Sequence, residues 1–140
     1  MVKNRLVFSM IVMMLTIIII ALVAVIVYFK LNDDSNKQSI DYIVASSWQT
    51  KEITTNTKDN KYVRIQFQIQ LDNKKAKEEI EKRDFQVYDI IYNSLTEMNA
   101  EDFTSQKKIA QLEETLSKGI NDILEDGKVV QIYTIEKIIQ

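Results

Sequence analysis

Residues 62–71 read Tyr-Val-Arg-Ile-Gln-Phe-Gln-Ile-Gln-Leu, with Val63, Ile65, Phe67, Ile69 and Leu71 alternating strictly with Arg64, Gln66, Gln68 and Gln70. Successive side chains of a strand point to opposite faces, so a period of two specifies a strand with one buried and one wet face. The buried face needs a cover, and the sequence on either side supplies candidates.

Downstream the period changes at Asp72, a predicted N-cap for the run NKKAKEEIEKRD. Within it Glu78 to Lys82 and Glu79 to Arg83 fall in the favourable i, i+4 order. Because each charge has an opposite neighbour, the run predicts a solvated helix face rather than a binding patch. Tyr88, Ile91, Tyr92, Leu95 and Met98 recur at spacings of three and four, predicting a second helix that ends near Asn99. Ile109, Leu112, Leu116, Ile120 and Leu124 form a similar stripe, predicting a third helix from Ser105 to Leu124. Gly127 marks a turn in Glu-Asp-Gly-Lys, and Val129 to Ile139, VVQIYTIEKII, reads as a final strand. Its apolar residues occupy both parities, Val129, Tyr133, Ile135 and Ile139 against Val130, Ile132 and Ile138. That pattern predicts a strand covered on both faces, or one whose outer face meets another subunit.

Upstream, Ile40 to Asn56 mixes β-branched and aromatic residues with polar ones and predicts a strand over about Ile40 to Gln49; Asn56 to Asn60, NTKDN, predicts a turn. The order strand, strand, two or three helices, strand specifies an α+β domain over 40–140, a small antiparallel sheet with helices packed on one face.

Further upstream, Leu6 to Phe29 is LVFSMIVMMLTIIIIALVAVIVYF, free of charge, Gly and Pro, with Ser9 and Thr16 its only small polar side chains. As a helix it is about 36 Å long against a hydrocarbon core of roughly 30 Å. We read it as an uncleaved single-pass anchor, with Leu6, Ile11, Leu15, Ile20, Val25 and Phe29 marking its length. The apolar core exceeds that of a cleaved signal, and Ala21 and Ala24 sit inside it rather than after it. Lys3 and Arg5 precede the span, whereas Lys30 beyond it is followed by Asp33 and Asp34. The positive-inside rule therefore predicts residues 1–5 in the cytoplasm, a span over 6–29, a polar linker over 30–39 and the domain outside.

Composition narrows the chemistry. The chain has no His and no Cys, which removes the commonest general base, thiolate nucleophiles and thiolate metal sites. Beyond the anchor 16 basic residues stand against 20 acidic ones, net −4, without the concentrated basic footprint that nucleic acid requires. Glu78, Glu79 and Glu81, or Glu113 and Glu114, could be imagined as paired carboxylates, but adjacent helix positions point about 100° apart. Ser46, Ser47 and Lys51 are the one Ser-plus-Lys grouping, and with Gly only at 119 and 127 there is no oxyanion loop and no phosphate-cradling loop. The span carries no buried carboxylate for a moving ion. The reading is a non-enzyme that takes no cofactor, metal, small-molecule substrate or nucleic acid.

Against this background the chain resembles the FliL family of flagellar basal-body proteins. Tyr62-Val63-Arg64-Ile65 opens the alternating strand as in that family, followed by a charged helix. Asp89-Ile90-Ile91 with Leu95 is similar to its Asp-x-Ile-x-x-x-Leu helix, and Glu101-Asp102-Phe103 precedes the long helix. Ile120-Asn121-Asp122-Ile123-Leu124 is similar to its Ile-Asn-x-Ile-Leu, and Val130-Gln131-Ile132-Tyr133-Thr134 leads to Ile138-Ile139-Gln140. The sequence departs from the family where Gln86, Val87 and Tyr88 precede Asp89, and in lacking a Gly after Ser105. The resemblance implies a single-pass cell-membrane protein with an outer domain similar to stomatin-type (SPFH) scaffolding domains. It implies a homo-oligomeric ring beside the flagellar stator and basal-body ring, supporting torque, swimming, swarming and chemotaxis; it transfers no catalytic residue. Asp89 and Asn121 are the motif positions, and Tyr62, Tyr133 and Ile135 on the outer sheet face are the candidate self-association or partner surface. A scaffold or regulator of another envelope complex stays open beside it. A stator ion channel, a pilin-like fibre subunit and a small hydrolase fit the residues less well.

Overall fold

The computed structural model describes residues 2–31 and 39–140, and the chain divides into two compact units between Gln38 and Ser39. The first unit is a single helix, α1, Val2–Leu31, about 45 Å long and with its apolar side chains exposed along its length. Lys30 and Leu31 form its last turn, and residues 32–38 of the expected linker lie outside the described residues. Inside the helix the Thr16 hydroxyl donates to the Met13 carbonyl at 2.8 Å, so this hydroxyl is satisfied locally. Tyr28 and Phe29 pack edge to face near its end.

The second unit runs α2 (Ile40–Ala45), β1 (Ser47–Gln49), β2 (Ile53–Asn56), β3 (Tyr62–Leu71), α3 (Lys74–Lys82), α4 (Asp84–Thr96), a 3-10 turn (Ala100–Thr104), α5 (Gln106–Ile123) and β4 (Val129–Ile139). The alternating stretch is the central strand. β1 and β2 pair with successive halves of one side of β3, β4 pairs with the whole of the other, and every pairing is antiparallel. Val63, Ile65, Phe67, Ile69 and Leu71 are fully buried beneath the helices, against Ile80, Val87, Ile91, Leu95, Phe103, Leu116 and Ile120. The domain is α+β, with its helices on one face of a small antiparallel sheet, as the period changes predict.

The strand expected over Ile40–Gln49 is instead a helix followed by a short strand. Ser39 caps the helix by accepting from the Tyr42 amide, and at the far end the Ser46 and Ser47 hydroxyls donate to the Tyr42 and Ile43 carbonyls. Tyr42 reaches from α2 to donate to the Asp72 carbonyl at 2.9 Å. Serine caps and this tertiary bond outweigh the strand preference of Ile40, Ile43 and Val44. Between β1 and β2 the ladder breaks, and Thr50 bridges the gap with its backbone N–H to the Phe67 carbonyl and its Oγ1 accepting from the Phe67 amide.

Asp72 does not cap α3. Its backbone still pairs with Lys128, so the helix starts one residue later, with Asn73 Oδ1 accepting from the Ala76 amide. Of the two expected i, i+4 pairs, Glu79–Arg83 forms at 2.7 Å, whereas Glu78 and Lys82 do not pair with each other.

β4 is not covered on both faces. The register slips between Gln66 and Phe67 and between Gln70 and Leu71, leaving Ile135 and Val130 without a partner on β3. Each bulge inserts one residue and resets the parity. Val129 and Ile132 therefore face the core, while Val130, Tyr133 and Ile135 are 48%, 46% and 48% exposed.

Candidate interaction surface

The sheet face opposite α3 to α5 is built from the even positions of β3 and their partners, and it is open except at the Gln70–Ser47 end, where both side chains are buried and Ser47 donates to the Ile43 carbonyl of α2. Gln66 lies opposite Glu136, Gln68 opposite Tyr133, Gln70 opposite Gln131 and Arg64 opposite Ile138. Directly opposed residues share a face, so this is a polar surface into which a few apolar groups are set. Tyr133 donates its hydroxyl to Gln70 Oε1 at 3.1 Å, Gln66 reaches the Thr50 carbonyl at 2.7 Å, and Arg64 faces Glu136 at 3.7 Å. Near the start of β3, Thr54, Tyr62, Arg64, Ile138 and Gln140 line a hollow of about 150 Å³.

Of the three candidate residues, Tyr62 is 60% exposed and sits where β3 begins, its backbone paired with Gln140 in both directions at 2.9 Å. Tyr133 faces Gln68, so the two rings share a face but stand about 20 Å apart along the strand. Ile135 falls between them along the strand, at the bulge, and is exposed. They form a line rather than a cluster.

The outer edge of β4 is the exposed flank of this surface, and sequence reasoning missed how it is protected. Glu113 on α5 accepts with Oε1 from both the Thr134 amide, at 3.0 Å, and the Thr134 hydroxyl, at 2.8 Å. Nearby, Lys137 Nζ donates to the Phe103 carbonyl. A capped amide, an ion on the strand and two bulges are the devices by which an edge strand resists indiscriminate pairing.

The motif residues separate into two kinds. Asn121 on α5 accepts from the Val129 amide at 2.7 Å and so fixes where β4 starts. Asp89 is exposed on α4 and bonds only one turn away, from Asn93 Nδ2 at 3.3 Å. Asn121 has a structural task; Asp89 has a free outward carboxylate edge.

The carboxylates do not converge on a reaction centre. Glu79, one-tenth exposed, accepts from the Asp126 and Glu125 amides at 2.8 and 3.0 Å and from Arg83 at 2.7 Å. The Asp126 amide, aided by the Glu125 amide and Arg83 against the opposing effect of burial, holds its pKa below the ordinary glutamate value. This side chain ties α3 to the turn before β4. Glu78 and Glu81 point to solvent, Glu113 is bound to Thr134, and Glu114 pairs with Lys118 at 2.9 Å. Ser46 and Ser47 are helix caps, and Lys51 donates its backbone amide to the Tyr88 hydroxyl. Among the described residues no three His, Cys, Asp or Glu side chains gather as metal ligands.

Fold and surface define a class: a small α+β domain carried behind an apolar helix long enough to cross a membrane, presenting an open sheet face. Residues 48–140 match the family model described as flagellar basal body-associated protein FliL. The chain is 41% identical over 110 residues to the flagellar protein FliL of Bacillus subtilis (strain 168), covering 76% of this chain and 79% of that protein. The chain belongs to the FliL family. Its place is therefore with the flagellar basal body.

Proposed function

We propose that this protein is a single-pass component of the cell membrane at the flagellar base, with its N-terminus in the cytoplasm and its domain outside. There it assembles into a homo-oligomeric ring that associates with the stator and supports torque, swimming, swarming and chemotaxis. The observation that carries this reading is the sheet face opposite α3 to α5, on which Tyr62 and Tyr133 are 60% and 46% exposed, with Ile135 exposed at the bulge beside Tyr133. Restriction to the membrane plane raises the effective concentration of copies, so a weak head-to-tail contact repeated around a circle suffices to close it. The charge-free span suits an anchor rather than an ion path. Asp89, with its exposed carboxylate, is the motif residue suited to a partner contact.

A fluorescent C-terminal fusion in live cells tests the reading. Foci at the flagellar base that dim in a strain lacking the stator support it; a uniform membrane signal indifferent to flagella overturns it. The chain is free of cysteine. Cysteine pairs, one at Tyr62 and one at Tyr133 or Ile135 of the same chain, therefore report head-to-tail self-association directly: cross-linked ladders are expected from these pairs and not when the second cysteine is at Lys107 on α5.

A further inference from the structure

Helix α2 has a face with no task inside the domain. Tyr42 and Ile43 are turned inward, Tyr42 to the Asp72 carbonyl, while Ile40 and Val44, one turn apart, are 70% and 60% exposed. Both are large apolar residues at positions i and i+4, which share one side of a helix.

What lies close to that face is set by the chain itself. Eight peptide steps separate Leu31, the end of α1, from Ser39, the cap of α2. A fully extended chain covers at most about 29 Å over that span, so the face is leashed within that distance of the end of the apolar helix. We infer that Ile40 and Val44 insert into the interfacial layer of the bilayer that α1 crosses, so that α2 is a second, shallow membrane contact. This rests on α1 being a membrane span.

The surrounding charge says what kind of contact it is. Asp72 joins α2 to the same end of the sheet as Lys128, whose amide and carbonyl both bond Asp72. The exposed charged groups of α2 and of the segments around Asp72 and Lys128 include Asp41, Glu125 and Asp126 against Lys74, Lys75 and Lys128. Three acids against three bases give no net attraction for anionic headgroups, so burial of the two apolar side chains is the driving term, and the contact is insensitive to salt. The consequence is orientation. β3 ends at Leu71, whose amide bonds the Ser46 carbonyl just after α2, so anchoring α2 puts Tyr62 at the end of β3 away from the bilayer. Copies held with one common tilt present their sheet faces at one height, as a planar ring requires.

The full-length protein is reconstituted at a low protein-to-lipid ratio in phosphatidylcholine–phosphatidylglycerol vesicles. Single cysteines at Tyr28, Ile40, Val44 or Tyr62 carry an environment-sensitive fluorophore, read against lipids brominated near the headgroup. Quenching several-fold stronger at 40 and 44 than at 62, unchanged by 0.5 M salt and by removal of phosphatidylglycerol, is the expected result. Quenching at 28 but none at 40 or 44 overturns the inference and leaves the span intact. A blue shift at 40 and 44 without lipid quenching means that protein covers the face, which overturns it equally. No quenching at 28 shows that the span reading itself has failed.

Discussion

The two faces of the sheet are made by the same strands and obey different demands. The inner face is saturated: the odd positions of β3 are fully buried, and every one meets a helix or another core side chain. The outer face is polar and open, its residues bonded mainly to one another across β3 and β4. Stability is stored on one side, and the other is the side on which the proposed contact would fall. A substitution should therefore be felt as unfolding or as lost assembly, according to the parity of its position.

The strongest break is expected at Phe67→Ala. Removing a fully buried ring costs about 3–5 kcal/mol in a domain of marginal stability. Thermal unfolding of the full-length protein in detergent should show a melting midpoint many degrees lower; an unchanged midpoint would break the contrast between the faces. Glu79→Gln comes next, because it weakens charge-assisted bonds to two amides and to Arg83, at about 1.5–3 kcal/mol. The depressed pKa fixes the sign with pH. The folded state takes up the proton less readily than the unfolded one, so this stabilisation is present above the ordinary value of 4.5 and is lost as pH falls below it. Melting midpoints between pH 6 and pH 3 should fall less steeply in Glu79→Gln than in the parent.

Gly127→Ala follows, at about 1–3 kcal/mol of overpacking. A Cβ there would stand 2.8 Å from that of Ala76 and 2.5 Å from Asn73 Nδ2, and would also meet Asp72 Oδ1. Urea unfolding reads it. On the outer face, Ile135→Ser and Tyr133→Ser should change stability by less than about 0.5–1 kcal/mol while sharply reducing cross-linked oligomer and motility on soft agar. A large fall in stability instead would mean that the outer face belongs to the core. The smallest effect belongs to Arg64→Ala, which loses an exposed ion pair of about 0–1 kcal/mol.

Legibility followed how local each signal is. The strict alternation of Val63 to Leu71 located the central strand, and the stripes through Leu95 and Ile120 located α4 and α5, because a helix or strand needs only its own periodicity to show which side is buried. The turn at Asn56–Asn60 was legible for the same reason, and Asn60 adopts the left-handed backbone that Asn tolerates. Helix α2 was misread because its β-branched residues look like a strand when the Ser39 cap and the Tyr42 bond to Asp72 are not in view. Tyr62, Tyr133 and Ile135 are exposed side chains; that Tyr62 and Tyr133 lie far apart on one face depends on register.

The sequence by itself determined the apolar α1 helix, the α+β class and the family, since composition, periodicity and wording are carried along the chain. Tertiary structure decided the rest. It decided that β4 is one-sided, because two bulges reset a parity that the residues alone leave ambiguous. It also assigned Glu79 to the turn before β4 and Glu113 to the edge, because a carboxylate's partners lie where the fold brings distant amides together.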